Sequence, residues 1–340
     1  MKLARLYESL PEKKVKCLAC NHYCKIVPGK LGICGVRKNR EGELFSLVYD
    51  RVVAASVDPI EKKPIFHLKP GSLSYSIATG GCNLKCRFCQ NSDIAQLPKD
   101  WMENERRRLS GRAFAPKQIV DQALAHGCES ISYTYTEPTV FFELALDTAR
   151  LAKEKGLYNI FVTNGFMSPE LIQEAIPVLD AVNVDLKAFT EDFYRTLCKA
   201  SLEPVKKTLK MMKQAGIMVE VTTLVIPGLN DDPDDFKRMA GFIAQDLGPQ
   251  TPWHLSRFHP AYKLLDIGPT PVATLEQACA IGESAGLKHV YTGNVPGAKE
   301  STYCSKCGNM LVQRHGYRID NLLAENGKCP GCGTALYGIY

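Results

Sequence analysis

The chain has 340 residues, 45% of them hydrophobic and 23% charged, so it can bury one large core and still carry a small accessory module. The net charge of +6 is mild and basic runs such as Arg106–Arg108 stand near acidic residues, which favours a solvated surface over a nucleic-acid partner. The start lacks the apolar core of a signal peptide, and no segment has the roughly 18 apolar residues of a membrane span, so we expect a cytoplasmic protein with no membrane partner.

The first 73 residues are expected to form a cysteine-rich, metal-binding extension. They carry Cys17, Cys20, Cys24 and Cys34, with His22 inside the cluster. Four thiolates, or three with His22 as a substitute, suit a closed zinc site, but four cysteines also hold iron–sulfur clusters. We prefer zinc or another structural metal here and keep a second iron–sulfur cluster as the alternative. The stretch Leu44–Ala55 that follows is typical of a hairpin.

From about residue 74 onward the sequence repeats a β-rich apolar run, an amphipathic helix and a glycine. The predicted strands are Ser74–Thr79, Ser130–Tyr135, Asn159–Thr163, Ala181–Leu186, Val219–Ile226, Trp253–Phe258 and His289–Thr292. The glycines expected to end the helices are Gly127, Gly156, Gly216 and Gly286. Ser168 followed by Pro169 predicts a helix start. Strands that alternate with helices in this way predict βαβ units and a parallel sheet.

Almost every predicted strand ends in polar or glycine-rich residues instead of core residues. The strand ends are Gly80-Gly81-Cys82, Thr136-Glu137-Pro138, Thr163-Asn164-Gly165, Asp185-Leu186-Lys187, Pro227–Asn230 and Arg257-Phe258-His259. In a βα barrel these ends converge at one mouth, whereas a doubly wound sheet uses only the ends beside its switch point. Six or seven strands are too few for a full eight-fold barrel. The predicted fold class is therefore α/β, with a partial (β/α)6-type TIM barrel over residues 74–298.

A loop at the end of the first barrel strand carries Cys82, Cys86 and Cys89 with the spacing Cys-x3-Cys-x2-Cys. Ordinary four-iron clusters take four cysteines, and no fourth follows nearby, so a cluster here would keep one iron open. The alternative is a structural zinc knuckle with a distant fourth ligand, which is less favoured because the loop lies where catalysis occurs in such barrels. The solitary cysteines, Cys128, Cys198 and Cys279, are interpreted as small core hydrophobes.

Residues 299–340 contain two Cys-x2-Cys pairs, Cys304 with Cys307 and Cys329 with Cys332. Each pair is followed by a glycine, as in the knuckles of zinc ribbons. The pattern predicts a C-terminal zinc-ribbon-like module with a structural zinc ion.

The central loop, with Phe88 before its last cysteine, resembles the signature of the radical S-adenosylmethionine (SAM) superfamily. Further motifs make the whole chain similar to the radical SAM member of the AmmeMemoRadiSam system, a group similar to pyruvate formate-lyase activating enzymes: Cys17–Cys24, Gly32–Arg37, Asp58–Pro64, Trp253–Phe258 and Gly293–Gly297. The resemblance implies a [4Fe-4S] cluster on Cys82, Cys86 and Cys89 whose open iron chelates SAM. It also implies one-electron cleavage of SAM to methionine and a 5′-deoxyadenosyl radical that abstracts hydrogen.

The resemblance also implies roles at the other strand ends. Glu137 stands where the family commonly has a Gly-Gly-Glu motif for the SAM amino group, although it could instead cap the helix that begins near Thr139. Asn164 resembles a ribose or carboxylate contact, and Phe88 belongs to the cofactor-binding loop. Asp185 and Lys187 resemble SAM-contacting residues of glycyl-radical activating enzymes, although they could simply pair with each other. His259 resembles a late histidine near the adenosyl group, and Lys187 and His259 are the candidate catalytic side chains beside the cysteines.

The predicted function is that of a radical SAM enzyme whose substrate is an unidentified protein or small molecule. A glycyl-radical activase would need a partner enzyme, and any such chemistry needs a low-potential electron donor of the flavodoxin or ferredoxin type. The alternative is a non-catalytic metal-binding interaction module in which all the cysteine groups hold structural zinc. Kinship of fold does not decide the substrate.

Overall fold

The computed structural model describes residues 1–96, 111–295 and 299–340. The basic run Arg106–Arg108 and the end of the Gly293–Gly297 motif lie outside these residues. The N-terminal strands are β1 (Lys2–Leu3), β2 (Tyr7–Leu10), β3 (Lys14–Cys17), β4 (Lys25–Ile26), β5 (Arg37–Arg40) and β6 (Glu43–Ser46). They form two small antiparallel sheets, with strand orders β2-β3-β4 and β1-β6-β5. The N-terminal cysteines lie on and between these strands.

The main sheet contains the seven strands predicted from the sequence. It is built from β7 (Arg51–Pro59), β8 (Leu73–Thr79), β9 (Arg112–Ala113), β10 (Ser130–Tyr133), β11 (Tyr158–Thr163), β12 (Ala181–Asp185), β13 (Met218–Val225), β14 (Trp253–Arg257) and β15 (Val290–Gly293). Its order is β15-β14-β13-β12-β11-β10-β8-β7-β9, and β8 with β10 through β15 run parallel. Among the described residues no pairing joins β15 to β9, so the sheet is an open, partial barrel. The predicted fold class is confirmed.

The hairpin predicted at Leu44–Ala55 is wrong. The strand β6 pairs with β1 and β5, whereas β7 pairs antiparallel with β8 at the edge of the barrel sheet. The local alternation correctly marked two strands, but β6 forms a hairpin with the preceding strand β5 and β7 pairs with β8, so the two strands do not pair with each other.

Helices cover the outside of the parallel strands. They are α1 (Ser92–Ala95), α2 (Pro116–Ala125), α3 (Phe142–Glu154), α4 (Pro169–Ala175), α5 (Glu191–Phe193), α6 (Leu202–Gln214), α7 (Pro233–Phe242) and α8 (Val272–Ser284). Ser168 caps α4 as predicted, since its hydroxyl accepts from the Leu171 N–H at 3.1 Å. Gly216 follows α6 with a φ of +79°, a conformation that glycine adopts at no steric cost.

The segment between β7 and β8 turns into the barrel and helps to fill it. The backbone N–H groups of Phe66 and His67 both donate to the buried Glu220 carboxylate on β13, each at 2.8 Å. Asn183 on β12 donates to the Pro64 carbonyl at 2.6 Å. Polar strand residues inside the barrel thus satisfy the backbone of a segment that would otherwise be buried without partners.

The C-terminal residues form a three-stranded sheet of β16 (Thr302–Tyr303), β17 (Met310–His315) and β18 (Arg318–Asn321), followed by a tail that returns to the barrel. Arg314 donates to the Phe66 carbonyl at 2.8 Å. The Tyr337 hydroxyl accepts from the Val219 N–H at 2.9 Å, and the Ile339 N–H donates to the His67 carbonyl at 2.8 Å. The tail therefore closes the amino-terminal end of the barrel. Within the described ranges, the helices are all too short or too polar to cross a lipid bilayer.

Candidate active site at the barrel mouth

The carboxyl ends of the parallel strands surround a cavity of about 340 Å³. This volume lies in the range of small-molecule and cofactor sites. The cysteine loop after β8, residues Thr134–Thr136 after β10, Asn164 after β11, and Asp185 and Lys187 at the end of β12 all line it. The structure thus brings most of the predicted strand-end residues to one mouth.

The cysteine loop begins where the chain touches the N-terminal extension. Gly81 has a φ of +95°, and a Cβ there would lie 2.6 Å from Val36 Cγ1 and 3.0 Å from the Cys34 carbonyl oxygen. A side chain at this position would clash, so glycine is required for the close approach. The loop is consequently packed directly against the extension.

The far side of the same loop is fixed by the segment after α5. The N–H groups of Lys85 and Arg87 donate to the carbonyls of Cys198 at 2.8 Å and Leu197 at 3.0 Å. Cys198 is fully buried, as predicted for a core cysteine, and its thiol adds to the rise in the pKa of Cys86. The loop is therefore held on both sides by backbone contacts.

Three thiols face the cavity, and its lining includes no fourth cysteine among the residues that the structure describes. Cys82 and Cys86 are buried and Cys89 is half-buried, and none is in a disulfide. Burial raises the pKa of Cys82 and of Cys89, because a thiolate loses its hydration there. Bound iron would supply the positive charge that a buried thiolate needs. Three cysteine donors beside open space fit a [4Fe-4S] cluster with one iron left for another ligand.

Asn164 reaches the first of these cysteines. Its amide nitrogen donates to the Asn83 side-chain oxygen at 2.8 Å and lies 3.7 Å from Cys82 Sγ. Its oxygen accepts from the Phe166 N–H at 3.0 Å, which fixes the amide orientation. The predicted contact of Asn164 with a ribose or carboxylate stays a prediction, but its position beside a cluster sulfur is compatible with it.

Asp185 and Lys187 form an ion pair on the cavity wall, with Lys187 Nζ 2.7 Å from an Asp185 carboxylate oxygen. The lysine side chain is 13% exposed and the aspartate 38%. Lys187 Nζ lies 5.9 Å from the centre of the Phe88 ring, which is itself buried and lines the cavity. The pairing allowed by the sequence is present, and it leaves both charges facing the same space as Cys86 and Cys89.

Glu137 is fully buried and is absent from the described residues that line the cavity. One carboxylate oxygen accepts from the Thr139 N–H at 3.1 Å, the Thr139 hydroxyl at 2.6 Å and the Thr163 hydroxyl at 2.7 Å. The other accepts from the Asn164 N–H at 2.8 Å. Burial raises the pKa of Glu137, while these donors oppose the rise. The geometry is that of the cap considered from the sequence, and it does not support the predicted contact with the SAM amino group.

His259 also lies away from the other predicted residues. It is exposed on the loop after β14, and the described lining of the cavity includes Ser256 and Asn294 from this side instead. The residues before it are held inward, since the Phe258 N–H donates to the Thr270 hydroxyl at 2.8 Å. His259 is exposed and does not belong to the described lining of the cavity.

A charged group on the cavity wall received no role from the sequence. Asp58 accepts from Lys62 at 2.8 Å, from the buried Lys63 at 2.6 Å and from the Tyr135 hydroxyl. Burial alone would raise the pKa of Asp58, but these donors hold it well below its usual value. Lys62, Lys63 and Tyr135 line the cavity, and Tyr135 has a left-handed φ of +61°. In the sequence, this group was marked only by the Asp58–Pro64 motif. That motif contributed to the family resemblance, but no chemical role was assigned to it.

The C-terminal cysteines gather into a compact group, and their four sulfurs all lie within 4.8 Å of one another. Cys304 Sγ is 3.6 Å from Cys332 Sγ, and Cys307 Sγ is 3.5 Å from Cys329 Sγ. Four thiolates around a single tetrahedral zinc ion would be about 3.8 Å apart. The group therefore fits one metal ion, as expected for a zinc-ribbon-like module.

Comparisons with known proteins agree with this arrangement. The family model of the Radical SAM superfamily matches residues 76–243. An uncharacterized protein of Methanocaldococcus jannaschii is 45% identical over 339 residues and covers 99% of both chains. The pyruvate formate-lyase 1-activating enzyme of Escherichia coli is 23% identical over 225 residues, which cover 62% of this chain and 89% of that enzyme. The crystal structure of a radical SAM methyltransferase from Sphaerobacter thermophilus has a TM-score of 0.52 at 16% identity, covering 72% of this chain and 71% of that one, and shows the same fold.

Proposed function

This chain belongs to the radical SAM superfamily, and we propose that it cleaves SAM reductively at a [4Fe-4S] cluster on Cys82, Cys86 and Cys89, giving methionine and a 5′-deoxyadenosyl radical that abstracts hydrogen from an organic substrate. The observation that carries this proposal is the set of three thiols, without a fourth cysteine among the described lining residues, beside a cavity of about 340 Å³. A closed structural site would use four protein ligands and leave no such space.

The protein residues around the cavity would bind and orient the ligand. Lys187 offers an ammonium for a carboxylate, and its partner Asp185 keeps an oxygen available for an amine or hydroxyl donor. Asn164 is held rigidly beside Cys82, so it can contact the ligand without losing further side-chain freedom. Apolar side chains line the rest of the wall and limit access of water, namely Leu84, Phe88, Ala95 and Val162.

The substrate is proposed only by class, as a protein or small molecule that donates a hydrogen atom at the mouth. A glycyl-radical-activase-like role is supported by the similarity to the named activating enzymes. That similarity is distant, at 23% and 29% identity, and it covers 62% and 48% of this chain respectively. A flavodoxin- or ferredoxin-type donor would provide the electron.

The decisive experiment is anaerobic reconstitution with iron and sulfide, followed by dithionite, SAM and chromatography of the products. We expect 5′-deoxyadenosine and methionine in equal amounts from the native chain. Cys86→Ala should abolish both the product and the iron–sulfur absorbance that the central cluster contributes. Cys279→Ala is the matched control, because Cys279 is buried on α8 away from the mouth.

An intact cluster at the central loop that forms no 5′-deoxyadenosine would refute the proposal. A protein that stays colourless after reconstitution and binds only zinc would instead favour the non-catalytic interaction module.

A further inference from the structure

A second cavity lies between the N-terminal sheets and the barrel, and all four N-terminal cysteines line it. Cys17 and Cys34 are buried, and Cys20 and Cys24 are half-buried. His22 lines it too, but its Nε2 lies 2.8 Å from the Asn83 carbonyl oxygen and is occupied by that hydrogen bond. The four thiols form a complete donor set by themselves, and Nδ1 is the remaining ring nitrogen of His22.

The spacing of these thiols differs from that of the C-terminal group. In the described parts of the chain, the C-terminal cysteines are the group whose ligand atoms come within 4.8 Å of one another, and the N-terminal four do not reach that spacing. A single zinc ion needs sulfurs about 3.8 Å apart. Ligands of a cubane cluster stand about 6 Å apart, because each binds a different iron. The wider N-terminal spacing fits the larger occupant.

Two buried donors without partners point to what fills the cavity. The side chains of Arg37 and Asn83 are 2% and 1% exposed, and both line the cavity. Arg37 Nε and Asn83 Nδ2 have no hydrogen-bond acceptor among the described residues. Buried N–H groups of this kind require acceptors. Metal-bound thiolates accept such hydrogen bonds at either kind of site, and an iron–sulfur cluster adds sulfide acceptors, so the two donors indicate a bound metal group and the wider sulfur spacing favours the cluster.

The cavity also adjoins the central cysteine loop. Asn83 follows Cys82 in the chain, so the residue that lines the N-terminal cavity is the direct neighbour of a central ligand. A Cβ at Gly81 would lie 3.0 Å from the Cys34 carbonyl oxygen. The backbone of Gly81–Asn83 thus carries a central ligand and also lies against the N-terminal cysteine group.

We propose that Cys17, Cys20, Cys24 and Cys34 hold a second [4Fe-4S] cluster, directly beside the central loop. A second iron–sulfur cluster is the alternative that the sequence left open beside the preferred zinc. The proposal does not rest on SAM cleavage, because it concerns a separate ligand set with its own closed coordination.

The test uses the full-length triple variant Cys82→Ala/Cys86→Ala/Cys89→Ala, which lacks the central ligands. After anaerobic reconstitution it should be brown, with about four irons and four sulfides per chain, and should retain about one zinc per chain at the C-terminal group. Adding Cys20→Ser and Cys24→Ser should remove the iron, whereas adding Cys128→Ala, a buried cysteine away from all three groups, should not. Circular dichroism checks that each variant is folded.

A folded triple variant that is colourless and holds about two zinc ions per chain would overturn the proposal. If the triple variant does not fold, the same question is answered with the protein that keeps all three cysteines of the central loop. There, Cys20→Ser/Cys24→Ser should lower the iron from about eight to about four per chain, and unchanged iron would overturn the proposal. Since 5′-deoxyadenosine is not the readout, failure here is distinguishable from failure of the proposed enzymatic function.

Discussion

The two interpretations of Glu137 make opposite predictions for Glu137→Gln. The carboxylate accepts four hydrogen bonds inside the protein, three at one oxygen and one at the other. An amide places an NH₂ group against donors whichever way it turns. The loss of one charge-assisted bond, together with the donors left unpaired, should cost about 3–5 kcal/mol of unfolding free energy.

This cost can be converted into a melting temperature. At about 2.1 cal/mol/K per residue, unfolding the chain has an entropy of about 0.7 kcal/mol/K, so Tm should fall by about 4–7 °C. The assay is anaerobic thermal denaturation followed by circular dichroism, with the SAM Kd measured by equilibrium dialysis. We expect the affinity to change less than about threefold, because Glu137 caps a turn and does not line the cavity.

The matched control is Glu154→Gln, an exposed carboxylate at the end of α3, which should leave Tm within about 1 °C. An unchanged Tm for Glu137→Gln, combined with a loss of SAM affinity of tenfold or more, would refute the capping interpretation. That result would restore the contact with the SAM amino group implied by the sequence resemblance.

Three further predictions concern stability. Arg37→Met should cost about 3–5 kcal/mol, because it leaves the buried Glu143 carboxylate without its two-pronged partner at 2.8 and 3.0 Å; urea titration measures this, and a double variant with Glu143→Leu should recover much of the loss. Tyr337→Phe should cost about 1–3 kcal/mol by leaving a buried β13 N–H unpaired, whereas Tyr317→Phe, 61% exposed, should leave Tm unchanged. Cys304→Ser should release one zinc per chain and make the C-terminal module sensitive to limited proteolysis; full zinc content with unchanged cleavage would contradict this.

Local patterns in the sequence predicted the barrel well. Apolar runs, capping residues and glycines with positive φ depend on neighbours in the chain, and the seven parallel strands appear where these signals placed them. The polar strand ends also pointed correctly to one mouth for Asn164, Asp185 and Lys187. Each of those side chains belongs to the last residue of its strand or to one of the next two residues, so the strand itself sets where the side chain emerges.

Features that depend on distant partners were not predicted. The pairing of β7 with β8, and the entry of Phe66 and His67 into the barrel, are decided by hydrogen bonds with residues far along the chain. Glu137 and His259 were assigned from their strand-end positions. Glu137 is buried and caps a turn, and His259 is exposed and absent from the described cavity lining, and neither property is visible in spacing alone.

The C-terminal tail that closes the barrel limits where the chain can be truncated. Residues 299–340 bind the segment Phe66–His67, and that segment continues from Lys62–Pro64, which line the cavity. Cutting the chain at the sequence boundary near residue 298 would therefore uncover the amino-terminal end of the barrel and expose apolar side chains there. The C-terminal cysteine module is thus not an independent domain. A recombinant barrel made without it should aggregate instead of forming a smaller enzyme.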